Sequence, residues 1–148
     1  VLTGATDGTA QVFTLRSDNT LAAVGGPQNP FPGFGGSVRT VVGDFNGDGT
    51  KDYAFATGAG VAAAVRVFDG KTGADLTGRA TVLDGFAGGV FLAAGDLDRD
   101  GTDELAVSAD AGGGNRVSVY KVGAGGLAMA LDFLVFGDPD FRGGSRVA

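Results

Sequence analysis

The amino-acid sequence predicts an all-β protein built from units of four short antiparallel strands, arranged like the blades of a propeller. Three observations support this fold class: a very high glycine content, a long internal repeat, and short segments in which apolar and polar residues alternate. Glycine accounts for 29 of the 148 residues and shows no collagen-like period. Because glycine supplies the positive φ angles of tight turns, its abundance predicts many turns between many short strands.

The internal repeat is visible when residues 34–68 are placed beside residues 86–120, at an offset of 52 positions without a gap. Thirteen of the 35 positions are identical, and they include Asp and Gly residues in the same order with the same spacing. A recurring unit of about 50 residues with four strands is typical of propeller blades. A β-sandwich that contains a duplication is the alternative architecture.

Both ends of the chain belong to the same repeat. Residues 141–148 restart the unit that begins at Phe86, while Val1–Ala5 and Gln11–Phe13 resemble segments of the second and third strands of a unit. No linker or second domain is visible. We therefore expect one repeat domain over residues 1–148, divided into a partial blade at 1–33, blades at 34–85 and 86–140, and the start of the next unit at 141–148.

Four strands are predicted in the middle unit, with glycine-rich turns between them. Val65–Phe68, like Val117–Tyr120 of the next unit, alternates apolar and polar residues, which is the period of a half-buried strand. The four predicted strands are Val38–Val42, Asp52–Thr57, Ala64–Asp69 and Ala80–Leu83.

Composition also limits the possible functions. The net charge of −6 is opposite in sign to a nucleic-acid-binding surface, so we expect no nucleic-acid partner. The sequence has no His and no Cys, which removes the usual general base of hydrolases, a cysteine nucleophile and thiolate metal ligands. No apolar run approaches the ~18 residues of a membrane span, so we expect no membrane insertion. The chain begins at Val1 without a visible signal peptide, so we expect a mature or excised piece.

We expect no catalytic residues, no organic cofactor and no enzymatic activity. Two carboxylates can catalyse glycoside hydrolysis, but the paired acids of this chain have the spacing of a metal site. Arg116, Arg142 and Arg146 have no evident carboxylate or phosphate partner in the sequence, so we expect them to face solvent.

Two nine-residue loops carry the strongest chemical signal, at Asp44–Asp52 and Asp96–Glu104. Both fit the pattern D-x-[DN]-x-D-G-x-x-[DE], in which side-chain oxygens recur at every second position. Calcium takes six to eight oxygens at ~2.3–2.6 Å, and a curled loop brings positions one, three and five together. Gly at position six permits the turn, position seven offers a backbone carbonyl and position nine closes the cage. The predicted ligands of two calcium ions are Asp44, Asn46, Asp48, Thr50 and Asp52, and Asp96, Asp98, Asp100, Thr102 and Glu104.

These loops differ from an EF-hand, because position twelve is Phe55 in one and Val107 in the other instead of Glu. Magnesium is disfavoured, since it demands octahedral geometry and retains its waters. Crowded carboxylates repel one another, and two calcium ions would change the formal charge from −6 to −2. The alternative is a pair of Asp/Asn-Gly turns without metal, although their recurrence at the same place in the repeat favours a metal site.

The loops and their flanks resemble the FG-GAP (integrin α) and VCBS repeat family. The resemblance rests on Phe34–Ser37, the loop sequence Gly43–Gly49, its counterpart Gly95–Gly101, and the segment Val65–Gly73, and it extends over nearly the whole chain. It implies propellers of roughly six to eight blades, with a metal loop between the first two strands of a blade. It also implies an extracellular setting, as in adhesion proteins, fungal lectins and repeats appended to bacterial enzymes.

Three blades are too few to close a ring, so we expect either a fragment of a longer propeller or closure by association, in which two copies form a homodimer with a six-bladed ring. In that arrangement Ser145–Ala148 would serve as a first strand and Val1–Thr3 as a second strand of one blade.

The expected function is a calcium-binding scaffold, adhesion or interaction module of a secreted or cell-surface protein, with a protein or glycan as its ligand. Lectin-like carbohydrate binding is the alternative. The sequence has no Trp, and we expect the two tyrosines to pack inside the fold instead of forming a sugar platform. The aromatic residues assigned to packing are Tyr53, Tyr120, Phe31, Phe34, Phe86 and Phe141.

Overall fold

The protein is described by a computed structural model that covers residues 1–123 and 125–148 and contains three antiparallel sheets in chain order. No α-helix occurs among these residues, and a single 3-10 turn spans Leu83–Gly85. The strands are β1 (Leu2–Gly4), β2 (Ala10–Leu15), β3 (Leu21–Gln28), β4 (Val38–Gly43), β5 (Asp52–Thr57), β6 (Ala64–Phe68), β7 (Ala80–Thr81), β8 (Val90–Gly95), β9 (Glu104–Ala109), β10 (Arg116–Gly123) and β11 (Gly126–Leu134).

Each sheet is a simple meander. The first has the order β1-β2-β3, the second β4-β5-β6-β7 and the third β8-β9-β10-β11. None of the three closes into a barrel, and each has the form of a propeller blade. The all-β, blade-like prediction is therefore confirmed, and the arrangement differs from the two facing sheets of a sandwich.

The four strands predicted in the middle unit are found with small shifts at their ends. The fourth strand ends at Thr81, two residues before the predicted end. Its end is set by the backbone, because Leu83 and Asp84 adopt positive φ angles of 48° and 53°, which a strand cannot accommodate.

The second and third sheets keep the same register despite their different sequences. Gly43 pairs with Asp52 at the end of β4 and β5, and Gly95 pairs with Glu104 at the end of β8 and β9. Because the register is identical, equivalent residues of the repeat lie at equivalent positions in the second and third sheets. These residues include both ends of each predicted metal loop.

The middle sheet is buried on both faces. One hydrophobic cluster joins it to the third sheet and includes Val67 and Val107, both fully buried. A second cluster joins it to the first sheet and includes Phe55 and Ala10. Burial on both faces explains why β5 is apolar along nearly its whole length, whereas the first four residues of β2 alternate between buried and half-buried.

Three Phe-x-Gly segments repeat the same packing. The ring of Phe34 lies over Gly36, where a Cβ would stand 2.5 Å from Cζ of the ring. The ring of Phe86 covers Gly88 in the same way, and the ring of Phe141 covers Gly143. Only glycine leaves room for the ring, which accounts for these glycines in the repeat.

The predicted packing roles of the aromatic residues are largely confirmed. Phe31 and Phe34 are buried, and Phe86 packs against the larger cluster. Tyr120 is a buried member of that cluster, and Tyr53 is half-buried against the smaller one. Phe141 is half-buried and stacks edge-on against Phe136 at a centroid distance of 5.2 Å.

The two ends of the chain differ in secondary structure. Leu2–Gly4 forms a strand against β2, as expected for the N-terminal segment. Ser145–Ala148 forms no strand in the single chain, because no neighbouring strand pairs with it among the described residues, and the strand expected in a closed ring stays a prediction. The segment is still held at its start, since the N–H of Ser145 donates to the carbonyl oxygen of Ala109 at 3.0 Å.

The expectation that Arg116 faces solvent without a partner is wrong. Its guanidinium pairs with Asp132 on the adjacent strand at 2.8 Å and with Asp84 at 2.7 Å. These partners are distant in sequence and meet only through the pairing of β10 with β11 and the left-handed turn at Asp84. Arg146 places its guanidinium 5.1 Å from the ring centroid of Phe91.

Candidate metal centres

The two acidic loops lie side by side at the same end of adjacent sheets. The first joins β4 to β5, and the second joins β8 to β9. The N–H of Asp103 donates to the carbonyl oxygen of Asp44 at 2.7 Å, and the N–H of Asp44 donates to Oδ2 of Asp103 at 2.7 Å. This reciprocal pair fixes one loop against the other.

The first loop is curled around the carboxylate of Asp44. Its Oδ1 accepts hydrogen bonds from the N–H of Gly47 at 2.8 Å and of Asp48 at 3.2 Å, and its Oδ2 accepts from Gly49 at 2.9 Å. Asn46 accepts from the N–H of Asp48 at 3.0 Å. Side-chain acceptors at alternate positions thus hold the loop in the curled form that metal binding requires.

The second loop repeats this arrangement. Oδ1 of Asp96 accepts from the N–H of Asp100 at 3.1 Å, and Oδ2 accepts from Gly101 at 3.1 Å. Asp98 also accepts from the N–H of Asp100, at 3.2 Å. The fourth position has a positive φ in both loops, 74° at Gly47 and 62° at Arg99. The shared conformation therefore persists even where glycine is replaced by arginine.

The sixth and seventh positions complete the turn. Gly49 and Gly101 have φ angles of 80° and 92°, so the predicted need for glycine at position six is met in both loops. The backbone N–H of Thr50 donates to Asp48 at 2.8 Å, and that of Thr102 donates to Asp100 at 2.9 Å. Both threonines are half-buried.

The closing carboxylates are buried. Asp52 is 0% exposed and accepts hydrogen bonds from the N–H groups of Phe45 and Gly70, each at 3.0 Å. Glu104 is 3% exposed, and its Oε2 accepts from the N–H of Leu97 at 2.8 Å. The other oxygen of Glu104, Oε1, is buried without a hydrogen-bond partner in the described part of the chain.

Burial and neighbouring charges shift the acidity of these groups. Burial raises the pKa of Asp52 above its usual value of 3.8, and the carboxylates of Asp69 and Asp44 raise it further. The hydrogen bond from Thr50 is the main cause that lowers the pKa of Asp48. The second loop contains a stronger effect, because the Lys121 ammonium and the donors of Thr102 lower the pKa of Asp100 to about 2.

Three of the predicted ligands converge tightly. Asp96, Asp98 and Glu104 each offer a carboxylate oxygen within 4.8 Å of the other two. Among the described residues the acids of the first loop do not converge to the same degree, and Asp100 lies outside the group of three. The carboxylates of the second loop are thus already gathered as a hard divalent cation requires, and Oε1 of Glu104 makes no hydrogen bond there.

Lysine side chains, which the sequence did not single out, lie beside both loops. The ammonium of Lys121 contacts Asp98 at 2.7 Å and Glu104 at 3.4 Å, and it also contacts Asp100. Near the first loop, Lys71 lies 3.3 Å from Asp48. Both lysines belong to strands or turns outside the loops that they contact. The only signal of these contacts in the sequence is that the register of the repeat places Lys121 opposite Glu104, the closing acid of the second loop.

The comparison with protein-family models identifies the repeat. Residues 44–107 match the model of the FG-GAP-like repeat. This stretch starts at the first acid of the first loop and ends within β9, so it spans both candidate metal loops. Comparison with curated proteins gave no significant match, and comparison with solved structures gave none either. Residues 44–107, which are less than half of the chain, therefore match an FG-GAP-like repeat model, and this stretch places its two loops at equivalent positions on adjacent blades.

Proposed function

We propose that the chain is a calcium-binding, non-catalytic propeller module that serves as a scaffold or adhesion segment of a secreted or cell-surface protein. The observation that carries the proposal is the convergence of Asp96, Asp98 and Glu104 within 4.8 Å, with one buried Glu104 oxygen left without a hydrogen-bond partner. A hard cation with oxygen ligands suits such a donor set.

The first loop would bind a second calcium ion. It has the same backbone curl as the second loop and the same buried closing carboxylate, at Asp52. Its side-chain oxygens would have to move closer together around the ion, with Asn46 and Asp48 turning toward Asp44. Each ion would offset the repulsion among the carboxylates and stabilise the folded chain by mass action, by about 2.7 kcal/mol at a hundredfold excess over Kd.

The extracellular part of the proposal follows from the family. FG-GAP-like repeats are typical of extracellular proteins, and residues 44–107 are such a repeat. Among the residues that the structure describes, no helix is long and apolar enough to cross a membrane.

Calorimetric titration of the full chain with calcium chloride tests this function. We expect two calcium ions per chain, with magnesium binding far more weakly because it keeps its waters. Combining Asp48→Ala with Asp100→Ala should abolish the heat of binding. A flat titration of the wild-type chain at millimolar calcium would show that the loops are turns without a metal.

We also propose that two copies associate through the outer faces of the first and third sheets. Leu131 and Phe133 on β11 are about half exposed and line an apolar groove with Val147. In the first sheet, Leu15 and Leu21 pair across β2 and β3 and are exposed on the face that points away from buried Ala10 and Val12. Equivalent sheet faces are already packed together inside the chain, so a second copy would continue an existing type of interface.

The mass of the chain under native conditions tests this association. Two copies would bring six blades together, and Phe133→Asp should convert the dimer to a monomer. A wild-type chain that stays monomeric at high micromolar concentration would contradict the proposal.

A further inference from the structure

We infer that the ammonium of Lys121 competes with calcium for the carboxylates of the second loop. This loop therefore binds calcium more weakly than the first loop. The inference rests on the proposed calcium function and adds a residue that sets the affinity of one site. Its basis is the position of one ammonium group among three carboxylates, all of which are predicted calcium ligands of the second loop.

The ammonium of Lys121 occupies the place where a cation would be attracted. It lies 2.7 Å from Oδ2 of Asp98 and 3.4 Å from Oε1 of Glu104, and it contacts Asp100 as well. The oxygen of Glu104 is the one that lacks a hydrogen-bond partner. An incoming metal would need the same oxygens, so the metal and the ammonium cannot both have all of them.

The position of Lys121 is fixed by strand pairing. In the third sheet Tyr120 pairs with Leu105, which places the next residue, Lys121, beside Glu104. The middle sheet has the same register, with Phe68 paired with Tyr53. The position equivalent to Lys121 is therefore filled by Asp69, next to the closing acid of the first loop.

The two loops thus have opposite charges at one equivalent position. Asp69 adds negative charge near Asp52, which favours a divalent cation in the first loop. Lys121 adds positive charge at the second loop and already forms ion pairs with some of the carboxylates of that loop. This difference predicts weaker calcium binding at the second loop, even though that loop has one more carboxylate, with Asp98 where the first loop has Asn46.

The lysine beside the first loop is not equivalent to Lys121. Lys71 contacts a single acid of the pattern, Asp48 at 3.3 Å, and its side chain is 61% exposed. Lys121 contacts three acids and is 40% exposed. Because its side chain is partly open to solvent, Lys121 can leave the acids when calcium enters, so the result is weaker binding and not complete exclusion.

Calorimetric titration of single-loop variants of the full chain tests this inference. In an Asp48→Ala background only the second loop is expected to bind, and adding Lys121→Met should tighten its calcium Kd by about tenfold, equivalent to about 1.4 kcal/mol. In an Asp100→Ala background only the first loop remains, and the matched control Lys71→Met should change its Kd by less than about threefold. Lys121→Gln provides a second variant if the methionine form folds poorly.

Thermal unfolding gives a readout that a purely structural lysine would not produce. In EDTA, Lys121→Met should lower Tm, because the acids of the second loop lose their counter-charge. In saturating calcium the same variant should match or exceed the wild type. A structural role alone predicts a lower Tm in both conditions, and that result would overturn the inference.

The titrations separate this inference from the proposed function. Calcium binding at the first loop without any tightening by Lys121→Met or Lys121→Gln at the second loop overturns the inference alone. Binding at neither loop overturns the proposed calcium function and the inference together.

Discussion

Glu104 accepts a hydrogen bond from the backbone N–H of Leu97 at 2.8 Å and thereby ties the end of the second loop to its beginning. Asp52 makes the same tie to Phe45 at 3.0 Å in the first loop. In both cases a buried carboxylate seven residues along the chain satisfies a backbone donor. The closing acid is therefore part of the folded loop before any metal binds.

Removing the first of these ties should destabilise the chain without calcium. Asp52→Ala leaves the buried N–H of Phe45 and the half-buried N–H of Gly70 without acceptors, which should cost about 2 kcal/mol or more of unfolding free energy. Urea denaturation in EDTA measures this loss. The control is Asp48→Ala, which frees the N–H of Thr50 in an exposed loop and should cost less than about 1 kcal/mol. Equal losses would show that burial of the closing acid is unimportant.

The contact between Phe34 and Gly36 should make this glycine intolerant of any side chain. Gly36→Ala places a Cβ against the ring of Phe34, and the forced repacking should cost about 1–3 kcal/mol. The neighbouring Gly35→Ala meets no atom within 4 Å, and the next repeat has Ala87 at that position. Denaturant unfolding of both variants measures the difference, and similar stability of the two would contradict the proposed ring-over-glycine packing.

The ion pair between Arg116 and Asp132 should make stability depend on pH in acid. The Arg116 guanidinium is the main cause that lowers the pKa of Asp132 below its usual 3.8. Because the folded pKa is lower than the unfolded one, the ionised Asp132 stabilises the fold above about pH 4. This contribution is lost as the pH falls through the folded pKa.

Asp132→Asn should therefore reduce stability at neutral pH by about 1 kcal/mol or less and flatten the acid limb of the stability curve. Urea unfolding between pH 2 and 7, with steps of about one pH unit around the usual carboxyl pKa, measures both effects. Arg116→Met should produce the same flattening, since it removes the cause of the shift. An unchanged acid limb in both variants would mean that the pair contributes nothing to the pH dependence.

Much of the fold could be predicted from the sequence because the two copies of the repeat show the same pattern of strands and turns. Alternation in Val65–Phe68 and the glycine-rich turns place the strands of the middle unit within one or two residues of their observed bounds. The curled backbone of each loop follows from Asp, Asn and Gly at fixed spacing, since those residues accept backbone hydrogen bonds locally. These features depend on neighbours in sequence, which a single sequence shows directly.

The features that escaped prediction depend on residues far apart in the chain. Lys121 reaches the second loop only through the register of β9 and β10, and Arg116 finds Asp84 only because the backbone turns left-handed there. Ser145–Ala148 shows the same dependence, because a strand-like sequence forms a strand only when a partner edge is present, and the described part of the single chain offers none. The sequence pattern of a segment indicates which secondary structure it can form, whereas its contacts with distant segments determine which structure it does form.

Thermal unfolding with calcium and with EDTA measures whether the two loops bind calcium and thereby stabilise the fold. We predict that calcium raises Tm of the wild-type chain, because the ions bind only the folded loops, and that Asp48→Ala combined with Asp100→Ala removes this rise. Magnesium at the same concentration serves as the control and should produce a much smaller change. Identical Tm values in calcium and in EDTA at millimolar concentration would contradict the account and leave the two loops as turns that stabilise the blades without a metal.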